Sequence, residues 1–114
     1  EGKKVEYKSC KVSKRDYEKF LKGELKKKYS MVYNGAYSAE NIERYRDIRH
    51  VLTLFHNEKL LMSIEVPIDH VIDSLYKILE AKEIRRAKGE RVTTNCNSVV
   101  VPIVESKPSI GKVL

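Results

Sequence analysis

The chain has no tryptophan, two phenylalanines and two cysteines among its 114 residues. Cys10 and Cys96 form no CxxC pair, and His50, His56 and His70 are not spaced beside them as zinc ligands. The sequence therefore encodes neither a zinc site nor a disulfide scaffold, and no metal or cofactor is expected. There is no run of about 18 apolar residues, which excludes a membrane-spanning helix and leaves no membrane partner in the reading. Two thiols make no secreted disulfide scaffold at this size, so a cytoplasmic, intracellular location is the expectation. A Gly-rich phosphate loop, GxSxG and HExxH are all missing. No enzyme motif stands behind this chain, and catalytic residues are expected to be none.

Charge is what the sequence has in excess. Lys and Arg number 23 against 16 Asp and Glu, a formal balance of +7, and charged residues make up 34% of the chain. A basic surface of this kind favours a polyanion. The cations fall in three groups. Lys22, Lys26, Lys27 and Lys28 close a first helical segment, Arg44, Arg46 and Arg49 follow on a second, and Lys82, Arg85, Arg86, Lys88 and Arg91 end a third. The helix dipole favours cations near C-termini. Five of them in residues 82–91 exceed what the dipole asks for, and the arginine fork suits phosphate.

The patterning supports one domain over residues 1–105, with 106–114 as a C-terminal tail. Lys4–Val12 reads as a strand whose apolar set shifts near Ser9, as at a bulge. Ser13 caps a helix carrying Tyr17, Phe20, Leu21 and Leu25 and ending near Tyr29, despite Gly23. Asn34-Gly35 marks a turn, and Ser38 caps a second helix. Residues 51–66 read as a hairpin: an apolar run 51–55, a turn at Asn57-Glu58, and alternation of Leu60, Met62, Ile64 and Val66. Pro67 opens the best amphipathic stripe, Ile68, Val71, Ile72, Leu75, Ile78 and Leu79, and Gly89 stops it. Ser98–Val104 is a last strand, and Pro102 argues for a sheet edge.

This order is α+β, the ferredoxin-like βαββαβ arrangement with an antiparallel sheet and both helices on one face. The first and last strands are then antiparallel neighbours. With Val5 opposite Val101, Tyr7 meets Val99 and Cys10 meets Cys96. A winged helix is the alternative, with Ile68–Arg86 as recognition helix and Arg91–Val104 as wing.

The pieces "MSIEVP", "IDHVIDSLYKILEA" and "SVVVPIVES", between Met62 and the last strand, resemble the second half of PII-like proteins, the trimeric ferredoxin-like signalling family. The resemblance implies an oligomer with a sensing or scaffold role. It carries no ligand residues over, because a short His56-Asn57-Glu58 turn replaces the long loop of that family.

Other constellations point to structure rather than chemistry. His50 and His56 lie about 20 Å apart on a regular strand. Asp69 and Asp73 share a helix face without a third ligand, and both cysteines read as buried. Tyr29, Tyr33 and Tyr37 surround the Asn-Gly turn, where two readings are equally open: stacking on bases, or packing the loop onto the core or a partner subunit. The expectation is a small, basic, non-enzymatic regulatory domain that binds nucleic acid, DNA or RNA, through phosphate contacts. Its binding residues are Arg85, Arg86, Lys88 and Arg91, supported by Lys26, Lys27, Lys28, Arg44, Arg46 and Arg49. The alternative is an oligomeric PII-like ligand-sensing or scaffold protein, a homo-oligomer packed through the Val99–Val104 strand.

Overall fold

The computed structural model describes residues 4–92, 97–104 and 107–114. In chain order the elements are β1 (Val5–Lys11), α1 (Lys14–Leu21), β2 (Lys26–Tyr33), α2 (Ala39–Glu43), β3 (Arg49–His56), β4 (Lys59–Val66), α3 (Ile68–Ala87), β5 (Asn97–Val104), β6 (Lys107–Pro108) and β7 (Lys112–Val113). One sheet has the order β1-β3-β4-β7 and the other β2-β5-β6. The α+β class is as expected. The ferredoxin-like order is not, because β1 runs parallel to β3 while β5 pairs antiparallel with β2. Val101 and Val99 thus meet Tyr29 and Met31, not Val5 and Tyr7. The strand expected to form a wing is the centre of this second sheet, which removes the winged-helix alternative as well. The Cys10–Cys96 approach involves a residue outside the described ones.

The difference starts at one glycine. Ser13 caps α1 as expected, its hydroxyl accepting from the Asp16 amide at 3.2 Å. Gly23, however, sits at φ +71°, the left-handed conformation that ends helices, and the Glu24 amide reaches back to the Lys19 carbonyl. The helix stops eight residues early. Beyond it, Tyr29, Met31 and Tyr33 alternate into the core while Lys28, Ser30 and Val32 face out, which is strand periodicity. Lys26, Lys27 and Lys28 therefore lie on β2 and not at a helix end.

The hairpin over residues 51–66 is present. Asn57 and Glu58 both take positive φ, 46° and 66°, the geometry whose twist matches flanking strands. Leu52 faces Ile64 and Leu54 faces Met62, after which the register shifts and Leu60 is left half exposed. β1 runs beside β3 without any break at Ser9, so the expected bulge is absent. Regular alternation instead leaves Tyr7 exposed and turns Cys10 toward β2, where its thiol donates to the Ser30 carbonyl at 3.3 Å.

The core lies between the sheets. β2 supplies Tyr29, Met31 and Tyr33, β5 supplies Val99, Val101 and Ile103, and β3 and β4 supply Leu52, Leu54, Met62, Ile64 and Val66. Helix α3 adds Val71, Ile72 and Leu75. Pro102 sits in a strand flanked on both sides, not at a bare edge. Its carbonyl accepts from the Ser109 amide, so the backbone of this residue points toward β6 and away from the β2 ladder. A proline fits there because the nitrogen and carbonyl of a strand residue point to the same side, so its missing N–H is not one the β2 ladder would use. Within the stretch read as a tail, β6 pairs with β5 and β7 pairs with β4. Gly111 makes this possible: at φ +99°, a Cβ there would stand 2.7 Å from the Glu65 carbonyl oxygen.

Candidate nucleic-acid interface

Helix α3 spans 20 residues, about 30 Å at ordinary rise, and buries only its first half. Its last core residue is Leu75, and residues 83–91 are exposed throughout. The reason is in the sequence: the apolar stripe ends at Leu79, and only Ile84, half exposed, follows on the helix. The final turns thus stand clear of the body and carry the basic cluster. Arg85 lies 3.5 Å from Glu90. Arg86, Lys88 and Arg91 have no carboxylate within ion-pair distance among the described residues. Lys82 is committed inward, donating to the Asn97 side-chain carbonyl at 2.7 Å.

The other cations of the expected set separate into three fates. Arg46 makes a two-pronged bond to Glu43, at 2.7 and 2.8 Å, and Arg49 makes one to Glu65. The Arg46 guanidinium, helped by the Tyr76 hydroxyl, holds the Glu43 carboxyl down at about 2. Both arginines are thereby neutralised in place. Lys27 pairs with the nearly buried Asp16 at 2.8 Å and leans over the Tyr29 ring. Lys26 and Lys28 are exposed, but they start a strand whose far end, Tyr33, meets the α3 region; seven steps at strand rise put them roughly 20 Å away. Arg44 is mostly exposed, its nearest acid Glu40 at 3.9 Å.

What joins that terminus to the rest is Asn97. Its amide donates to the carbonyls of Tyr33 and Ala36, both at 3.3 Å, while its oxygen receives Lys82. The loop after β2 is thus pinned next to the emerging end of α3. Facing this loop is α2, capped by Ser38 on the Asn41 amide at 3.2 Å and anchored by the fully buried Ile42. Between loop and helix lies an open pocket of about 400 Å³ lined by Asn34, Gly35, Tyr37, Asn41, Arg44 and Tyr45.

Behind the pocket is a polar layer that sequence reasoning missed. The fully buried His50 is bonded at both nitrogens: Nε2 to the Tyr45 carbonyl at 3.0 Å and Nδ1 to the Tyr33 hydroxyl at 2.7 Å. A carbonyl only accepts, so Nε2 carries the proton and Nδ1 accepts from the phenol. Burial pushes the His50 pKa below its ordinary 6.5, the Tyr45 carbonyl opposing this in part. Burial also raises the Tyr33 phenol. The Lys8 ammonium, paired to Glu6 at 3.0 Å, sits 4.9 Å over the Tyr33 ring. Tyr29 and Tyr33 are therefore core residues and do not stack on a ligand; Tyr37, just over half exposed, remains open. The unfolded chain takes up a proton at His50 before the folded one does. Stability is full above pH 6.5 and declines as pH falls from there through the folded value, by at most about 1.4 kcal/mol per unit. Urea melts between pH 8 and 5 are expected to show this decline in the native chain and its loss in His50→Gln.

A larger open groove, of about 1410 Å³, lies elsewhere, where α1 meets the β3–β4 turn. Cys10, Tyr17 and His56 line it. Burial raises the Cys10 thiol, which stays protonated and bonded to Ser30. His56 stacks on Tyr17 at 4.2 Å and donates from Nδ1 to the Val12 carbonyl. Its hydrogen bonds and those of Cys10 run to different partners, so the groove holds no nucleophile–base pair. His70 is tied to the Val100 carbonyl at 2.9 Å, and Asp69 and Asp73 both face solvent. Among the described residues no helix is long and apolar enough to cross a membrane.

No family model, no curated protein and no solved structure matches this chain.

Proposed function

We propose that this protein is a non-enzymatic nucleic-acid-binding domain that grips phosphates with the free end of α3. One observation carries the reading: Arg86, Lys88 and Arg91 stand on exposed backbone that serves no core, at or just past the end of α3, with no carboxylate within ion-pair distance among the described residues. An exposed cation used only to balance the helix dipole is worth a few tenths to about 1 kcal/mol. Three of them set a local positive field where a phosphate backbone docks bidentately or by point charge. Arg46, Arg49 and Lys27 drop out of the binding set, since their charge is spent internally.

Fluorescence anisotropy with labelled oligonucleotides from 50 to 200 mM salt tests this. Three to four phosphate contacts give a slope of log affinity against log salt between about −2 and −4. A flat profile, or no binding at 50 mM, rejects the proposal.

A second reading has one specific observation in its favour. Val32, Val100 and Val104 leave an apolar strip on the outer face of β2 and β5, each 38–40% exposed. In an oligomeric PII-like sensing or scaffold protein, that strip is the subunit contact. Equilibrium sedimentation separates the two: a monomer at tens of micromolar removes the oligomer.

A further inference from the structure

The geometry points to the pocket between the 34–37 loop and α2 as a seat for one unstacked base, adenine by preference, of a single-stranded nucleic acid whose backbone lies along the α3 end. This rests on the phosphate-binding reading and narrows its ligand. The pocket volume, about 400 Å³, falls in the range of small-ligand sites, roughly 300–1,000 Å³. Its walls are fixed before any ligand arrives. Tyr45 is held edge-on against Tyr33 with ring centres 5.0 Å apart, and its hydroxyl donates to the Asn34 carbonyl at 3.4 Å. Asn97 clamps the loop through the Tyr33 and Ala36 carbonyls. A preformed site loses little order on binding.

The groups that are not fixed are those a base needs. Tyr37 is 54% exposed and makes no ring contact among the described residues. Its face is open to stacking, which every base accepts. The side-chain amides of Asn34 and Asn41 have no hydrogen-bond partner among the described residues. An asparagine amide pairs two-pronged with the N6–N7 edge of adenine. Arg44 borders the same pocket, held only by the distant, exposed Glu40. The chain of contacts Lys82–Asn97–Ala36 runs from this loop to the root of the basic turns, so the pocket is held in a fixed relation to them. A paired base cannot stack on Tyr37, because neighbouring bases cover both its faces in a duplex, even though its N6–N7 edge stays open in the groove.

The test compares an adenine-rich single-stranded 12-mer with a duplex of equal length, against the native chain, Tyr37→Ala/Asn41→Ala, and Arg86→Ala/Lys88→Ala/Arg91→Ala. Both pocket side chains are off the core, and melting curves verify that the variants fold. The pocket variant is expected to lose about tenfold or more on the single strand, the value of one stacked base, and less than twofold on the duplex. The α3 variant loses both ligands. Equal losses on the two ligands, or no loss by the pocket variant, overturn the pocket while leaving phosphate binding intact. Adenosine 5′-monophosphate, with inorganic phosphate as control, supplies an independent readout by amide chemical shifts. Shifts at Gly35, Asn41 and Arg44 with the nucleotide alone sustain the pocket even if no polymer binds. Identical shifts with phosphate, or none, refute it.

Discussion

Replacing Arg86, Lys88 and Arg91 together with alanine is expected to weaken nucleic-acid binding by roughly two decades at about 0.1 M salt, and to cut the salt slope by about two to three units. Each lost contact forgoes the release of most of one counterion, and the effect multiplies across three. Stability should hardly change, because all three side chains are exposed and touch no core residue. Substitutions of that kind usually stay within about 0.5 kcal/mol, with some further loss at a helix end. A control follows from the internal ion pairs. Arg46→Ala and Arg49→Ala break bonds to Glu43 and Glu65 and are expected to leave the salt slope within half a unit of the native value. A slope that drops equally for Arg49→Ala and Arg86→Ala would mean that binding follows total charge and not the α3 terminus.

The largest effect on folding is expected at Tyr33. It is fully buried, pairs with Asn97 across the β2–β5 ladder, donates to His50 and contacts Tyr45 and Lys8 through its ring. Tyr33→Ala opens a cavity worth about 3–5 kcal/mol for an aromatic of this size. It also strips His50 Nδ1 of its donor, a further loss of about 1–3 kcal/mol. Against a total of roughly 5–15 kcal/mol for a small domain, the variant sits at the margin of folding. Tyr33→Phe keeps the ring and loses only the hydroxyl, so its cost should be the second figure alone. Denaturant melts of both variants give the split directly. A difference between them under 1 kcal/mol would show that neighbouring side chains refill the cavity and would contradict the expected cost of losing the ring.

Much of the hairpin, the caps and α3 is legible in the sequence because each has a local cause. Asn57-Glu58 turns the chain where two alternating runs meet, Ser13 and Ser38 supply side-chain caps, and the Ile68–Leu79 stripe has a single period. β2 is obscured by its neighbours. Leu25 continues the spacing of Tyr17 and Leu21, so Lys26–Lys28 resemble a basic helix end. The period-two set Tyr29, Met31, Tyr33 is only three long and runs straight into Asn34-Gly35. Gly23 held the deciding signal, its left-handed backbone, but glycine in a helix and glycine ending one read alike without φ. Without β2 the last strand has no partner but β1, which is why β5 is expected beside β1 and Pro102 at an edge; the local β3–β4 hairpin is unaffected.

The basic end of α3 was legible for the same reason the helix was: the apolar stripe stops while the charges continue. Its companions were not. Whether Arg46 or Arg44 is free depends on which acid comes within reach after folding, and Glu65 is sixteen residues from Arg49. Tyr37 and Arg44 were separately visible as an aromatic in a loop and a cation on a helix. That they border one pocket follows from Asn97, which is sixty-one residues from Ala36 and carries no signature of its own.

Binding through the α3 terminus is tested most directly by mapping backbone amide shifts while a single-stranded oligonucleotide is titrated in at low salt. The largest changes should fall on residues 82–91, with a second set at 34–45, and both should vanish as salt is raised. Changes confined to the outer strip of β2 and β5, with residues 82–91 unmoved, would contradict it.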